Sequence, residues 1–414
     1  MEQEPWPDLY RTLRTPRMEP VMTGFNVNLD RSIPVSQEVL DLLLRCHTEL
    51  PGFLRRFWRS LRLCAADEFF VQDTGRFLKF CSRFSRSGTL SVGGQAGIAA
   101  LHLRATGAPG VICLAPLVGD TAREVLGAAG VTVIGTPPRE GMPDLIHLVF
   151  EHSPGLVLHD RNVVSRKSRF IVSGRHPAGS VLLPDPLLDE AERAVASVRR
   201  LFLSGYQYLT SDTEFVAAAG QIRRFREYNH DLVIHVEWVC ADDPLLTGRL
   251  VSYILPEVDS LGVNEQELAL LCRHLYPAEG PAGRVIPRPE GIMRQALDLC
   301  RRTGLQRVHV HTYGYYCVVR RDPEDPERTR DSLLFASREV VGKSELIAPH
   351  LVAEGKQALT CATGLFGPAR LPGIFSAGEE FRIIVIPTLI SESIARTAGL
   401  GDRISSAAFD TDLF

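Results

Sequence analysis

The strongest constraint on this chain is an alternation. Short apolar, β-branched runs recur between stretches of helical spacing along most of its 414 residues. The runs "GVICLAPL", "GVTVIG", "RLFLSGYQYL", "DLVIHVEWV", "SLGVNE", "RVHVHTYGYYCVV" and "FRIIVIPT" read as strands apolar on both faces. Strands of that kind belong to sheets covered by helices on each side. Helical spacers such as "GGQAGIAALHLRATGA" and "DTAREVLGAAG" separate several of them. The reading is an α/β fold with a doubly wound, mostly parallel sheet. "EPVMTGFNVNLD" reads as a strand entering a loop, and "RRDPEDPERTRD" (320–331) as an exposed charged loop.

Two stretches break the pattern. Residues 31–90 are rich in Arg and Phe and largely helical, and residues 140–182 read as meandering strands around a basic loop. The expectation is a smaller discontinuous lid made of 31–90 and 140–182. It is inserted into a large nucleotide-binding domain of residues 1–30, 91–139 and 183–414.

The composition narrows the function classes. With 45% hydrophobic and 23% charged residues the chain has the mix of a globular protein with a substantial core. A net charge of −3 points to neither nucleic acid nor an acidic membrane surface. No apolar stretch reaches the length of a membrane span, and the polar, Pro-rich start does not read as a signal peptide. The nine cysteines include no CxxC pair and lie mostly in apolar runs, as reduced, packed thiols do. A cytoplasmic protein is expected, with no nucleic-acid or membrane partner; the oligomeric state is open, and a monomer suffices.

Three acidic motifs follow predicted strands. "HVE" supplies Glu237, "NEQE" supplies Asn264 and Glu267, and "GLGD" supplies Asp402. In an open α/β sheet the ligand crevice lies beyond the carboxyl ends of the strands. Two carboxylates and an amide on neighbouring strand ends suit Mg²⁺ or another divalent cation, which keeps several waters. The plainer alternative makes "NEQE" a helix cap with acids in its first turn. Gly399 and Gly401 open a helix whose N–H groups would face a transferring phosphoryl group, with Asp402 taking the proton of an attacking hydroxyl. "NVNLD" offers Asn28 and Asp30, and "GGQAG" offers Gly94 and Gln95, donors and acceptors suited to a polyhydroxy ligand.

The motifs "NVNLD", "GGQAG", "SRFI", "LSGYQ", "HVE", "SLGVNEQEL", "VHVHT" and "RTAGLGDRIS" follow one another over residues 20–410. In that order they resemble the ADP-dependent glucokinase/phosphofructokinase family. The resemblance implies a ribokinase-like α/β domain with a smaller lid, and transfer of a phosphoryl group from ADP to glucose or fructose 6-phosphate with a divalent metal. It implies Asp402 as catalytic base, with Gly399 and Gly401 in the anion hole. Glu237, Asn264 and Glu267 would hold magnesium largely through water. Asn28, Asp30, Gly94 and Gln95 would contact the sugar, and the lid residue Arg169 would lie near the phosphates. The usual "TVGLGDTIS" here reads "TAGLGDRIS", so Arg403 directly follows the base and would lower its pKa, grip a phosphate or point to solvent.

In this family a lid carboxylate distinguishes glucose users. "CAADEFF" offers Asp67 for that place, with Glu68 one position on. The cluster Arg161, Arg166, Lys167 and Arg169 would instead suit the 6-phosphate of fructose 6-phosphate. The reading favours glucose, with fructose 6-phosphate as the alternative. The adenine pocket is placed in residues 340–365. An ATP-using sugar or nucleoside kinase and a catalytically silent binding regulator are the competing readings. A dinucleotide-binding dehydrogenase is excluded because no early βα turn carries GxGxxG.

Overall fold

A computed structural model describes residues 5–412 except 47–48, 65, 139–143, 159, 161, 166, 175–180, 240–242, 277–287, 322–323, 342–351 and 390–398. The strands of the first half are β1 (Val21–Gly24), β2 (Asn28–Pro34), β3 (Asp67–Val71), β4 (Thr89–Gly93), β5 (Val111–Leu117), β6 (Thr132–Thr136), β7 (Ile146–His152) and β8 (Ser168–Gly174). Those of the second half are β9 (Arg200–Leu203), β10 (Val233–Glu237), β11 (Ser260–Val263), β12 (Arg307–His311), β13 (Tyr315–Arg321), β14 (Ile374–Ala377) and β15 (Phe381–Pro387).

They form two sheets. Ten strands run in the order β14-β15-β13-β12-β11-β10-β9-β1-β5-β6, and five in the order β3-β8-β7-β2-β4. From β12 to β6 every neighbouring pair of the large sheet is parallel. The pairings β12–β13, β13–β15 and β15–β14 are antiparallel. Each face meets its own apolar layer. Met22, Leu201, Ile234 and Leu261 belong to one, and Val21, Val111, Cys113 and Ile384 to the other. Burial on both sides is what the unbroken apolar runs require, so the fold is the doubly wound, mostly parallel α/β fold.

The five-stranded sheet has a separate core made largely of rings. Phe53 stacks on Phe57 at 5.5 Å and meets Phe80 and Phe170 edge-on at 5.3 and 5.7 Å. The surrounding helices are amphipathic and two are side-chain capped, by Ser36 and Asp73.

Three local expectations change. "VMTGFNVNLD" is not one strand and a loop, since Val21–Gly24 belongs to the large sheet and Asn28–Pro34 to the small one. "RVHVHTYGYYCVV" turns back at Thr312–Gly314 into a hairpin, with Gly314 at φ +91°, a conformation that side chains with a Cβ rarely adopt. The expected loop at 320–331 is mostly helix, Pro326–Val341, with Thr329 and Arg330 buried. The buried Arg330 is paired by Glu327 and Asp331 of the same helix, and Arg320 and Thr329 both bond the buried Asp412 carboxylate, at 3.0 and 2.9 Å.

Candidate active site

A cleft of about 880 Å³ lies between the carboxyl ends of the central parallel strands and the small sheet. From the large-sheet side it is lined by Glu237, Asn264, Glu267, Gly399, Gly401 and Asp402. From the other side come Asn28, Asp30, Asp67, Gly94, Gln95 and Arg169. Arg403 is not among these residues; its charge helps hold the buried imidazole of His102 below its usual pKa, behind the larger effect of burial.

The helix Leu400–Thr411 brings Asp402 to the cleft. Its cap, Gly399, sits at φ +73°, and a Cβ there would lie 2.6 Å from Ile98 Cδ1. Glycine satisfies both demands. The first-turn amides of Leu400, Gly401 and Asp402 have no acceptor within the helix, so the helix offers donors and the positive end of its dipole. Asp402 is pushed up to about 7, chiefly by burial and then by the nearby Glu237 charge; His311, a hydrogen bond with Gln95 and Arg169 oppose the rise. A carboxyl balanced there can take a proton near neutrality.

Glu237, at the end of β10, is held at both oxygens. Oε1 lies 2.8 Å from His311 Nε2, and Oε2 lies 3.2 Å from His235 Nε2. Burial by itself would raise its pKa, but the His311 charge and the two imidazole hydrogen bonds hold it down to about 2. The neighbouring β11 leads into the helix Glu265–Leu275. Asn264 caps that helix, its Oδ1 accepting from the amides of Gln266 and Glu267 at 2.9 and 3.0 Å. Glu267 Oε2 accepts the Asn264 amide at 2.7 Å, completing a capping box. The amide oxygen of Asn264 is therefore already engaged by backbone. Among the described residues no three His, Cys, Asp or Glu side chains converge as direct metal ligands. Two carboxylates on adjacent strand ends fit a hydrated magnesium ion held through its waters.

On the other wall, Asn28 Nδ2 donates to Asp30 Oδ1 at 2.8 Å. A Cβ on Gly94, which sits at φ +73°, would come within 2.8 Å of Asn28 Oδ1, and one on Gly93 would collide with the Asp30 carboxylate. The glycines make room for those two side chains. Asn28 Oδ1 and Gln95 Oε1 are buried with no partner among the described residues. Both are acceptors awaiting hydroxyl donors. Arg169, on β8, has Asp402, Glu151, Glu68 and Asp30 as its surrounding charges.

The two consecutive lid acids part company. Asp67 is clamped by Arg56 at 2.7 and 2.9 Å. Glu68 bonds Ser173, and its acidity responds to Arg169. Burial raises the Glu68 pKa ahead of these interactions. Arg161 and Arg166 lie outside the described residues, as do most of 340–351; Lys167 is described but does not line the cleft. His311 was not singled out. Its signal, a second His two residues after His309, is hidden in the apolar alternation "VHVHT".

A family profile described as "ADP-specific Phosphofructokinase/Glucokinase conserved region" matches residues 20–410. The ADP-dependent glucose/glucosamine kinase of Pyrococcus furiosus is 25% identical, over 98% of both chains. The ADP-specific phosphofructokinase of Pyrococcus horikoshii is 26% identical, over 95% of this chain and 97% of its own. Among solved structures, "ADP-dependent kinase complex with fructose-6-phosphate and ADPbetaS" superposes with a TM-score of 0.80 at 23% identity, covering 99% of this chain and 98% of that one. At that identity the superposition speaks for the shared fold.

Proposed function

The chain belongs to the ADP-specific phosphofructokinase/glucokinase family, and from that membership we propose how this cleft works as an ADP-dependent sugar kinase. The enzyme transfers the β-phosphoryl of ADP to a hexose hydroxyl, giving a sugar phosphate and AMP. The observation that carries the assignment of roles is one convergence. Asp402, the Glu237 clamp and the polar sugar wall line a single cleft, with Gln95 bonded to Asp402.

In this mechanism Asn28, Asp30, Gly94 and Gln95 hold the hexose hydroxyls. Asp402 accepts the proton of the attacking hydroxyl, and the Gly399–Gly401 amides together with Arg169 stabilise charge on the moving phosphoryl group. Glu237 and Glu267 would hold a hydrated Mg²⁺, with Asn264 fixing Glu267 from the helix cap. The ion, when bound, supplies positive charge to the ADP phosphates. The small sheet and its helices, within residues 28–93 and 146–174 and so reaching slightly past the expected 31–90, act as the lid that excludes water from the reaction. Eight cysteines are described as free thiols, and no described helix is long and apolar enough to cross a membrane, which supports a cytoplasmic site of action.

The charge of the acceptor wall favours a neutral sugar. Arg56 is taken by Asp67, Arg249 by Asp212 at 2.9 Å, and Arg169 is ringed by carboxylates. A phosphate dianion binds where cationic forks are uncompensated. Glucose is therefore the preferred acceptor, with Glu68 rather than Asp67 as the lid acid that meets it. The test is a panel of glucose, glucosamine and fructose 6-phosphate with ADP and with ATP, following AMP and sugar phosphate. Turnover with ATP alone would overturn ADP as the donor, and preference for fructose 6-phosphate would overturn the sugar.

A further inference from the structure

A row of buried polar side chains crosses three adjacent strands beneath the cleft. The register pairs His235 of β10 with Ser260 of β11, and Ser260 with Arg307 of β12. All three are fully buried. One row higher, the pairing places Glu237 beside Gly262. Alternate residues of a strand share a face, so His235 and Glu237 point the same way, as do Ser260 and Gly262.

The hydrogen bonds along this row have a direction. Arg307 Nη1 donates to Ser260 Oγ at 3.3 Å, because a guanidinium can only donate. Ser260 Oγ lies 2.8 Å from His235 Nδ1. At the other end Nε2 lies 3.2 Å from both Glu237 Oε2 and Ser405 Oγ; an ionised carboxylate can only accept, so the proton sits on Nε2 and Ser405 is the second acceptor beside it. The imidazole lies between Phe202 and Phe409, with ring centroids at 5.1 and 4.8 Å. Apolar rings on both faces and full burial disfavour a charged imidazole there. A neutral ring protonated on Nε2 has a lone pair on Nδ1, which the Ser260 hydroxyl fills by donating. Arg307 in turn is anchored by Asp412 at 2.8 Å, which also bridges Arg320. A Cβ on Gly262 would stand 2.6 Å from Ser405 Oγ and 2.8 Å from His235 Nε2, and closer still to Glu237 Oε2, so the glycine leaves the space where these groups meet.

We propose that Ser260 and Arg307 are positioning residues for Glu237, acting through His235 by fixing which imidazole nitrogen carries the proton. The carboxylate that faces the metal and the phosphoryl group is thus oriented from the opposite end of the sheet, by residues that touch neither. This rests on the role given to Glu237 above.

The experiment labels the full-length protein with ¹⁵N-histidine and reads the His235 tautomer from two-bond ¹H–¹⁵N spectra without substrate. The His235 signals are identified by their loss in His235→Asn. The expected result is a proton on Nε2 in the wild type and a shift toward the Nδ1 form in Ser260→Ala. The same variant should lower kcat about tenfold, as losses of such supporting groups do, with KM for ADP and sugar within about twofold. Ser260→Thr, which keeps the hydroxyl, should restore both readouts. A proton on Nδ1 in the wild type, or a Ser260→Ala protein with unchanged tautomer and kcat, overturns the proposal. If Ser260→Ala fails to fold, Ser260→Cys, whose thiol is a weaker donor, takes its place with the same two readouts. A wild type without sugar-kinase turnover would count against the function and not against the tautomer, because the latter is read without ligand.

Discussion

The two walls of the cleft are built on different principles. The large-sheet wall holds its acids with hydrogen bonds that run into the core: Glu237 by two imidazoles, Glu267 by a capping box, Asp402 on a glycine-capped helix. The small-sheet wall holds its charged groups against one another, a half-exposed Arg56 on Asp67 and a buried Arg169 among Glu68, Asp30 and Asp402. A wall fixed from below suits chemistry that must not vary. A wall of exchangeable ion pairs suits choosing among acceptors, since one substitution there re-pairs charges without disturbing a core.

The largest test of this contrast is Asp402→Asn. Removing the base should lower kcat by about 10³-fold, within the range of general-base catalysis, with the sugar KM little changed. Steady-state rates with glucose and ADP decide it; a loss confined to KM would place Asp402 on the binding side of the comparison. Gly262→Ala comes next. Its methyl group would enter the space shared by Glu237, Ser405 and His235, and kcat should fall about 10²-fold while thermal stability drops by about 1–3 kcal/mol from overpacking.

On the opposite wall the prediction separates neighbours. Glu68→Gln should raise the glucose KM about tenfold, the loss of one charge-assisted hydrogen bond, and Asp67→Asn should change it less while freeing Arg56. If Asp67→Asn also opens the enzyme to fructose 6-phosphate, the released guanidinium is the element that was compensating. The two variants together measure how far specificity is stored in ion pairs alone.

How much of this was legible follows the same division. "HVE", "NEQE" and "GLGD" were readable because each is a local pattern: an acid where an apolar run ends, or glycines where a helix begins. Asn264 and Glu267 were readable in both their guises, and the structure shows the cap, which leaves any role toward a metal to water-mediated contacts. Asp67 and Glu68 both line the cleft, and how each is paired there depends on how β3 lies against β8, which is a long-range fact. The row His235–Ser260–Arg307 was equally hidden, since its members are adjacent only through sheet register. The helix at Pro326–Val341 was missed because its charges looked solvated, whereas the buried Arg330 is paired by Glu327 and Asp331 and Thr329 bonds Asp412, over eighty residues later in the chain.

Two acids of the cleft should also respond to pH in opposite senses. Asp402 is raised to about 7, so its contribution to stability is full below the ordinary carboxylate range and is lost as pH rises through 7. Glu237 is lowered to about 2, so its contribution is present above the ordinary range and is lost only as pH falls toward 2. Activity follows Asp402, whose ionised form is the base. The rate should therefore fall about tenfold from pH 8 to pH 6, since only about a tenth of a group with that pKa is ionised at pH 6. A kcat profile flat across that range would remove Asp402 from the proton transfer.

The smallest effect is expected where the sequence departs most visibly from its relatives. Arg403 directly follows the base, and adjacency in a helix turns it by about 100° away from Asp402. It is not among the residues lining the cleft, its charge acts on His102 of the helix Gln95–Thr106, and its backbone amide closes the first turn on the Gly399 carbonyl at 3.1 Å. Arg403→Met, which keeps the length and loses the charge, should leave kcat and the KM for ADP within about twofold, while His102, relieved of a neighbouring cation, becomes easier to protonate. A tenfold rise in the KM for ADP would show instead that the guanidinium swings to the phosphates in the closed enzyme, and the large-sheet wall would then be less fixed than its hydrogen bonds imply.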